Sequence, residues 1–276
     1  MGEERFRRFA ELRAQWSSCS DAKPADLWER DGFVRFDDGS AYAIRNLKEP
    51  KTARCAIGYS LSQKELDRLC GLIDVEALSL HAISAKNVEA LSRQKNLKFL
   101  SFHWASKIED LTPLTELPAL KVLDLTELSK LRDLSFLKDL KILEALQISG
   151  STDTPMRLDH LVPIAQMPRL AELVLLASRV KEGGLHPLGD CEALSELGLA
   201  DIFSTEDVAY LTARLPKVFC ERFQPYYSIR DYFGDGKTVK ITGQRKPRLH
   251  PVIDAARIEN YVRKWEQLVS EFSEKT

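Results

Sequence analysis

Nowhere in this chain do about eighteen apolar residues run together, so no stretch reads as a membrane-spanning helix. The charged start, Met1-Gly2-Glu3-Glu4-Arg5, has no apolar segment behind it, which argues against a Sec signal peptide. Phe6 stands where a myristoylation signal needs Ser or Thr. The cysteines, Cys19, Cys55, Cys70, Cys191 and Cys220, are odd in number and form no C-x-x-C. A disulfide framework is therefore not expected, and a reducing cytoplasm fits. Charge of neither sign is in excess: 40 Lys and Arg stand against 41 Asp and Glu, leaving −1 at pH 7. No global field draws nucleic acid or an acidic membrane. Familiar catalytic motifs are missing too, with no P-loop, G-x-G-x-x-G, G-x-S-x-G or H-E-x-x-H. No catalytic residue, metal or cofactor is assigned.

What the chain does have is a repeat. Leu97-x-x-Leu100-x-Phe102, Leu120-x-x-Leu123-x-Leu125, Leu143-x-x-Leu146-x-Ile148, Leu170-x-x-Leu173-x-Leu175 and Leu194-x-x-Leu197-x-Leu199 share one pattern, preceded by Val75-x-x-Leu78-x-Leu80. The first positions, 75, 97, 120, 143, 170 and 194, are 22, 23, 23, 27 and 24 residues apart. Such a period predicts a solenoid. Alternate residues of a strand face opposite sides, so in Leu120 to Thr126 the side chains of Leu123 and Leu125 point inward, and Val122, Asp124 and Thr126 point outward. One strand cannot bury its leucines alone, whereas a stack merges them into a core. Apolar residues recur every third position before Leu120, Leu143 and Leu170, as in Ile108, Leu111, Leu114 and Leu117, which suits 3₁₀ return legs. Thr205 to Leu215 reads as an α-helix instead.

These residues resemble the leucine-rich repeat proteins of the short-repeat, bacterial kind. The resemblance covers roughly residues 62–218 and implies an α/β solenoid with a curved parallel sheet on its concave side. One departure stands out. The family's turn Asn or Cys is replaced by Ile83, Ala105, Leu128, Ser151, Ser178 and Ile202, and Ser84, Ser106, Ser129 and Thr152 follow one residue after the first four, where hydroxyls are expected to cap the turn.

The expected organisation is a capping flank over 1–61, repeats over 62–218, and a C-terminal flank over 219–276. In the first flank, Phe6, Phe9, Leu12 and Trp16 share one side of a predicted helix. Phe33 to Phe36 and Tyr42 to Ile44 read as a hairpin, Ala53 to Tyr59 as a strand, and Ser62-x-x-Glu65 as a capping box. The last flank reads as a turn, a strand, a basic loop and a helix with Ile258, Tyr261, Trp265, Leu268 and Phe272 on one stripe.

Function is expected on the outward strand positions: a partner protein bound on the concave face. The anchors are Phe99, His103 and Trp104, since large apolar groups beside polar ones compose interface hot spots. Ser101, Val122, Asp124, Glu127, Gln147 and Leu176 complete the surface. The competing expectation is that the N-terminal flank covers Phe99 and Trp104. His81 and His103 share a position on successive strands and are expected to neighbour each other. The extra residues of the 27-residue interval fall in 150–157, at the rim. Arg245, Lys246 and Arg248 form a weak candidate anion site. Rival readings are a bacterial effector or immunity-type protein, an enzyme with its site between flank and arc, and a phosphate or nucleic-acid binder.

Overall fold

The computed structural model describes residues 5–11, 33–36, 49–151, 154–176 and 178–274. Among the described residues, thirteen strands are numbered in chain order. Eight of them, β1 (Phe33–Phe36), β2 (Lys51–Tyr59), β3 (Ile73–His81), β4 (Phe99–His103), β5 (Val122–Thr126), β6 (Ala145–Ser149), β8 (Glu172–Leu176) and β10 (Glu196–Leu199), form one sheet in that order. Every pairing in it is parallel. The second leucine of each repeat is in exact lateral register, Leu78, Leu100, Leu123, Leu146, Leu173 and Leu197, and all six are buried. The chain is thus a leucine-rich repeat solenoid, with its core between sheet and return legs.

The return legs are 3₁₀ turns at Glu89–Arg93, Thr112–Glu116, Ser135–Asp139 and His186–Asp190, and one short helix, α2 (Val162–Ala165), in the longest interval. Two successive turns are started alike. Asp110 accepts from the Thr112 N–H and Asp133 from the Ser135 N–H, both at 2.8 Å. These carboxylates satisfy amides that a helical turn leaves open.

At the end of successive strands, Ser60, Ala82, Trp104 and Glu127 all adopt positive φ, between 50° and 60°. Their amides each donate to the last carbonyl of the next strand, as Trp104 N–H does to Thr126. The family's turn Asn position is occupied by buried Ile83, Ala105 and Leu128. Backbone bonds such as Ile108 N–H to Ala105 and Leu131 N–H to Leu128 close the turns there. Of the expected hydroxyl caps, Ser84 Oγ donates to the Leu61 carbonyl at 3.4 Å, while Ser106 and Ser129 are exposed.

Upstream, helix α1 (Gln63–Leu72) begins at the Ser62–Glu65 capping box. Strand β2 pairs with β3 along its length, so the sheet extends one coil beyond the six repeats. That coil escaped the leucine pattern because Ala56 and Gly58 occupy its inward positions, opposite Leu78 and Leu80. A Cβ at Gly58 would come 2.8 Å from Leu61 Cδ1, so Leu61 fills the space a repeat leucine would take. β1, the first arm of the expected hairpin, pairs parallel with β2, and the second arm, Tyr42 to Ile44, lies outside the described residues. Leu12, Trp16 and Cys19 lie outside them as well.

Downstream, helix α3 (Thr205–Arg214) closes the last coil, its N-terminus capped by Ser204. Strands β11 (Tyr226–Ser228), β12 (Val239–Ile241) and β13 (Arg248–Leu249) form a small antiparallel sheet. Helix α4 (Ala255–Ser273) spans both units: Ile258 and Tyr261 pack on that sheet, and Trp265, Leu268, Val269 and Phe272 join the solenoid core. Strands β7 (Met156–Leu158) and β9 (Ser178–Val180) pair separately, and the first lies in the inserted stretch.

Candidate interaction face

The outward side chains of the sheet form three rows, each crossing the strands. The first row is Ala77, Phe99, Val122, Ala145, Glu172 and Glu196; the middle row is Ser79, Ser101, Asp124, Gln147, Val174 and Gly198; the third is Tyr59, His81, His103, Thr126, Ser149 and Leu176. Strands about 4.8 Å apart put equivalent side chains in contact.

The third row shows this directly. Tyr59, His81 and His103 stack, with ring centroids 4.7 and 4.6 Å apart. The sequence expected the two histidines to meet; Tyr59 was missed, because its coil carries no leucine signal. Trp104 follows His103, its ring 6.4 Å away, and is 56% exposed. A tryptophan in the left-handed region costs roughly 1–2 kcal/mol of backbone strain, and here little burial offsets it.

In the middle row, Asp124 is buried and accepts from Thr126 Oγ1 at 2.8 Å and Gln147 Nε2 at 3.1 Å. His103 Nε2 lies 3.5 Å from its other oxygen. Burial pushes the Asp124 carboxyl above the ordinary carboxylate range, opposed by His103 and by these two hydrogen bonds. Ser79 and Ser101 are buried alongside, 3.3 Å apart, and Ser79 also bonds His81 at 2.8 Å.

The first row is covered by the chain's own N-terminal segment. Residues 7–11 are helical, and residues 5–9 cross the face from the last coil toward the middle. Arg5 stacks over Phe219, 4.2 Å from the ring centre. The Phe6 amide donates to Glu196, and the amides of Arg8 and Phe9 donate to Glu172 at 2.9 and 3.2 Å. Arg8 bridges Glu144 at 2.7 Å and Glu172 at 3.2 Å. Phe9 is buried on Val122 and Ala145, with Phe6, Phe99 and Val174 around it.

The sequence-predicted residues therefore divide. His103, Trp104, Asp124 and Gln147 come together on one strip, with Glu127 on the turn beside Trp104's coil. Leu176 is 37% exposed at the end of the third row. Phe99 and Val122 lie beneath residues 6 and 9, and Ser101 is fully buried. Phe6 and Phe9 thus reach Phe99, and Trp104 stands mostly in solvent. Glu144, Glu172 and Glu196 and their partner segment went unpaired in the sequence, although the glutamates recur at strand starts and Phe6-Arg7-Arg8-Phe9 carries the complementary charge.

The basic loop does not converge. Lys246 Nζ lies 5.9 Å from the Tyr261 ring centre, Arg248 stacks on Phe233 at 4.4 Å and pairs with Asp235 at 3.7 Å, and Arg245 lines a separate cleft. That cleft, of about 610 Å³, lies between the insertion, the last coil and the C-terminal flank, with Ser151, Ser178, Arg179, Ser204 and Gln244 in its walls.

No protein-family model matches the chain, and no curated protein matches it. Among solved structures it is similar to an internalin C2 from Listeria monocytogenes, 21% identical over 68% of this chain and 92% of that one, with a TM-score of 0.39. It is also similar to a second internalin of that organism, 14% identical over 64% and 68%, with a TM-score of 0.40. By its own repeat and strand register, the chain has the fold of a leucine-rich repeat solenoid.

Proposed function

We propose that this chain is a protein-interaction module that takes a partner protein on the concave face, anchored at the strip running from Tyr59 through His103 and Trp104 to Gln147. The observation that carries the reading is Trp104 itself. A large aromatic side chain stands mostly in solvent, on a strained backbone, beside a polar cluster that is already satisfied. Nothing in the stability of the coil asks for tryptophan there, and exposed tryptophan is a frequent hot-spot residue.

Affinity capture from a lysate of the source organism, with wild type beside Trp104→Ala, tests this. The variant is expected to keep its circular dichroism spectrum and to bind the captured protein more weakly by about 2 kcal/mol. Equal capture by both would rule the strip out; a collapsed fold would make Trp104 structural.

A second reading, an enzyme or effector acting at the C-terminal flank, rests on the cleft that holds Arg179 and Arg245. Among the described residues lining it there are hydroxyls but no histidine or cysteine. A cytoplasmic setting is part of the proposal. Cys55, Cys70, Cys191 and Cys220 are buried, and burial lifts the Cys70 thiol to about 12. No described helix is long and apolar enough to cross a membrane.

A further inference from the structure

Residues 5–11 sit on the concave face as a bound peptide would. A helical stretch of this length does not hold itself in water, so the face is what orders it. Its opening amides, which a helix cannot satisfy internally, are taken by Glu196 and Glu172. Arg8 is held between Glu144 and Glu172, and Arg5 stacks over Phe219. Its two inward rings, Phe6 and Phe9, meet outward side chains of four strands. The cluster around Phe9 is separate from the leucine core, so the solenoid does not depend on the segment for its interior.

The face is selective in its chemistry. Glu172 is fully buried under the segment, and every hydrogen bond to it described above comes from Arg8 or Phe9. An acidic or purely apolar occupant would bury that carboxylate without a cation, which is strongly unfavourable. The pattern that fits is a tight turn leading into a short helix, with aromatic residues three apart and an arginine between them, here Phe6-x-Arg8-Phe9.

We propose that residues 5–11 are a cis ligand of the concave face, and that a partner protein occupies the same row with a turn-and-helix segment of Phe-x-Arg-Phe spacing, displacing them. This rests on the reading of the concave face as the partner site and adds the partner's chemistry and a built-in competitor. A tethered occupant lowers the apparent affinity of any rival by the fraction of time the face is free, so only a well-matched partner enters.

The probe is a fluorescein-labelled synthetic peptide of residues 4–15, titrated into the full chain and read by anisotropy. The full-chain variant Phe6→Ala/Arg8→Ala/Phe9→Ala is expected to bind it about tenfold or more tighter than wild type, because the cis occupant is disabled. Adding Glu144→Gln and Glu172→Gln to that variant is expected to abolish the gain. Amide exchange at Leu123 and Leu146 checks that each variant keeps its solenoid. Equal binding by wild type and the triple variant, or binding by neither, overturns the proposal. A wild-type dimer that becomes monomeric in the triple variant also overturns it, since the segment would then be exchanged between copies. The peptide titration reads the first row and the Trp104→Ala capture reads the third, so failure of the one is distinguished from failure of the other.

Discussion

Arg8 Nε donates to Glu144 Oε2 at 2.7 Å, joining the short N-terminal helical segment to the residue that precedes β6. That hydrogen bond holds the Glu144 carboxyl below its ordinary value of 4.5, against a smaller opposing effect of burial and with help from Lys121. An acid whose pKa is lowered by a contact stabilises the contact in its ionised form. The contribution is complete above 4.5 and is lost as pH falls through the lowered value. Acidification should therefore release the segment: the Arg8 and Phe9 amide signals, followed by NMR, are expected to leave their docked positions as pH falls, while the core leucine amides stay. Signals that hold their positions throughout would contradict this.

Asp124 behaves in the opposite sense. Its carboxyl is raised by burial, so folding favours the protonated form, and stability falls as pH rises from 3.8 through the raised value. Asp124→Asn keeps an oxygen for Thr126 and Gln147 and removes the buried charge. Chemical denaturation at neutral pH should find the variant as stable as wild type or more so, by up to about 1 kcal/mol, and should show that this segment of the pH dependence has gone. A loss of stability would mean the ionised carboxylate is worth more to His103 than its burial costs.

At Trp104 the prediction concerns stability alone. Glycine adopts positive φ without the strain tryptophan bears, and the side chain removed is mostly in solvent. Trp104→Gly is expected to raise the unfolding free energy by about 1 kcal/mol. A destabilised variant would show that the contact with His103 outweighs the strain.

Gly58 and Leu61 share one space in the first coil. Gly58→Ala should cost about 1–2 kcal/mol by crowding Leu61, and the same change in a Leu61→Ala background should cost less, the difference being the coupling of the two positions. Additive costs in the denaturation cycle would show that Leu61 has another rotamer to move into.

How far the sequence carries the fold follows from the same residues. Leu100, Leu123 and Leu146 announce their register because each occupies an equivalent slot at an almost constant interval, and the His81–His103 stack follows from that register. Gly58 hides an additional coil because packing there is completed by a residue three positions on, outside the pattern. The face is harder to read. Asp124 and Val122 are outward by alternation, yet both are buried, the first by its neighbours on adjacent strands and the second by Phe9. Periodicity tells which side a residue faces but not what the chain later lays over it. The pairing of Arg8 with Glu144 and Glu172 joins positions 136 and 164 residues apart, for which no local pattern exists.

The amides of Ser60, Ala82, Trp104 and Glu127, each bonded to the neighbouring coil beyond the last strand residue, have a mechanical meaning. They act as stitches along one margin of the sheet, so adjacent coils are fastened at the strand ends as well as along their length. Drawn out from its two ends, such a stack yields by peeling. Each rupture frees one coil of 22 to 27 residues before the next row of stitches takes the load.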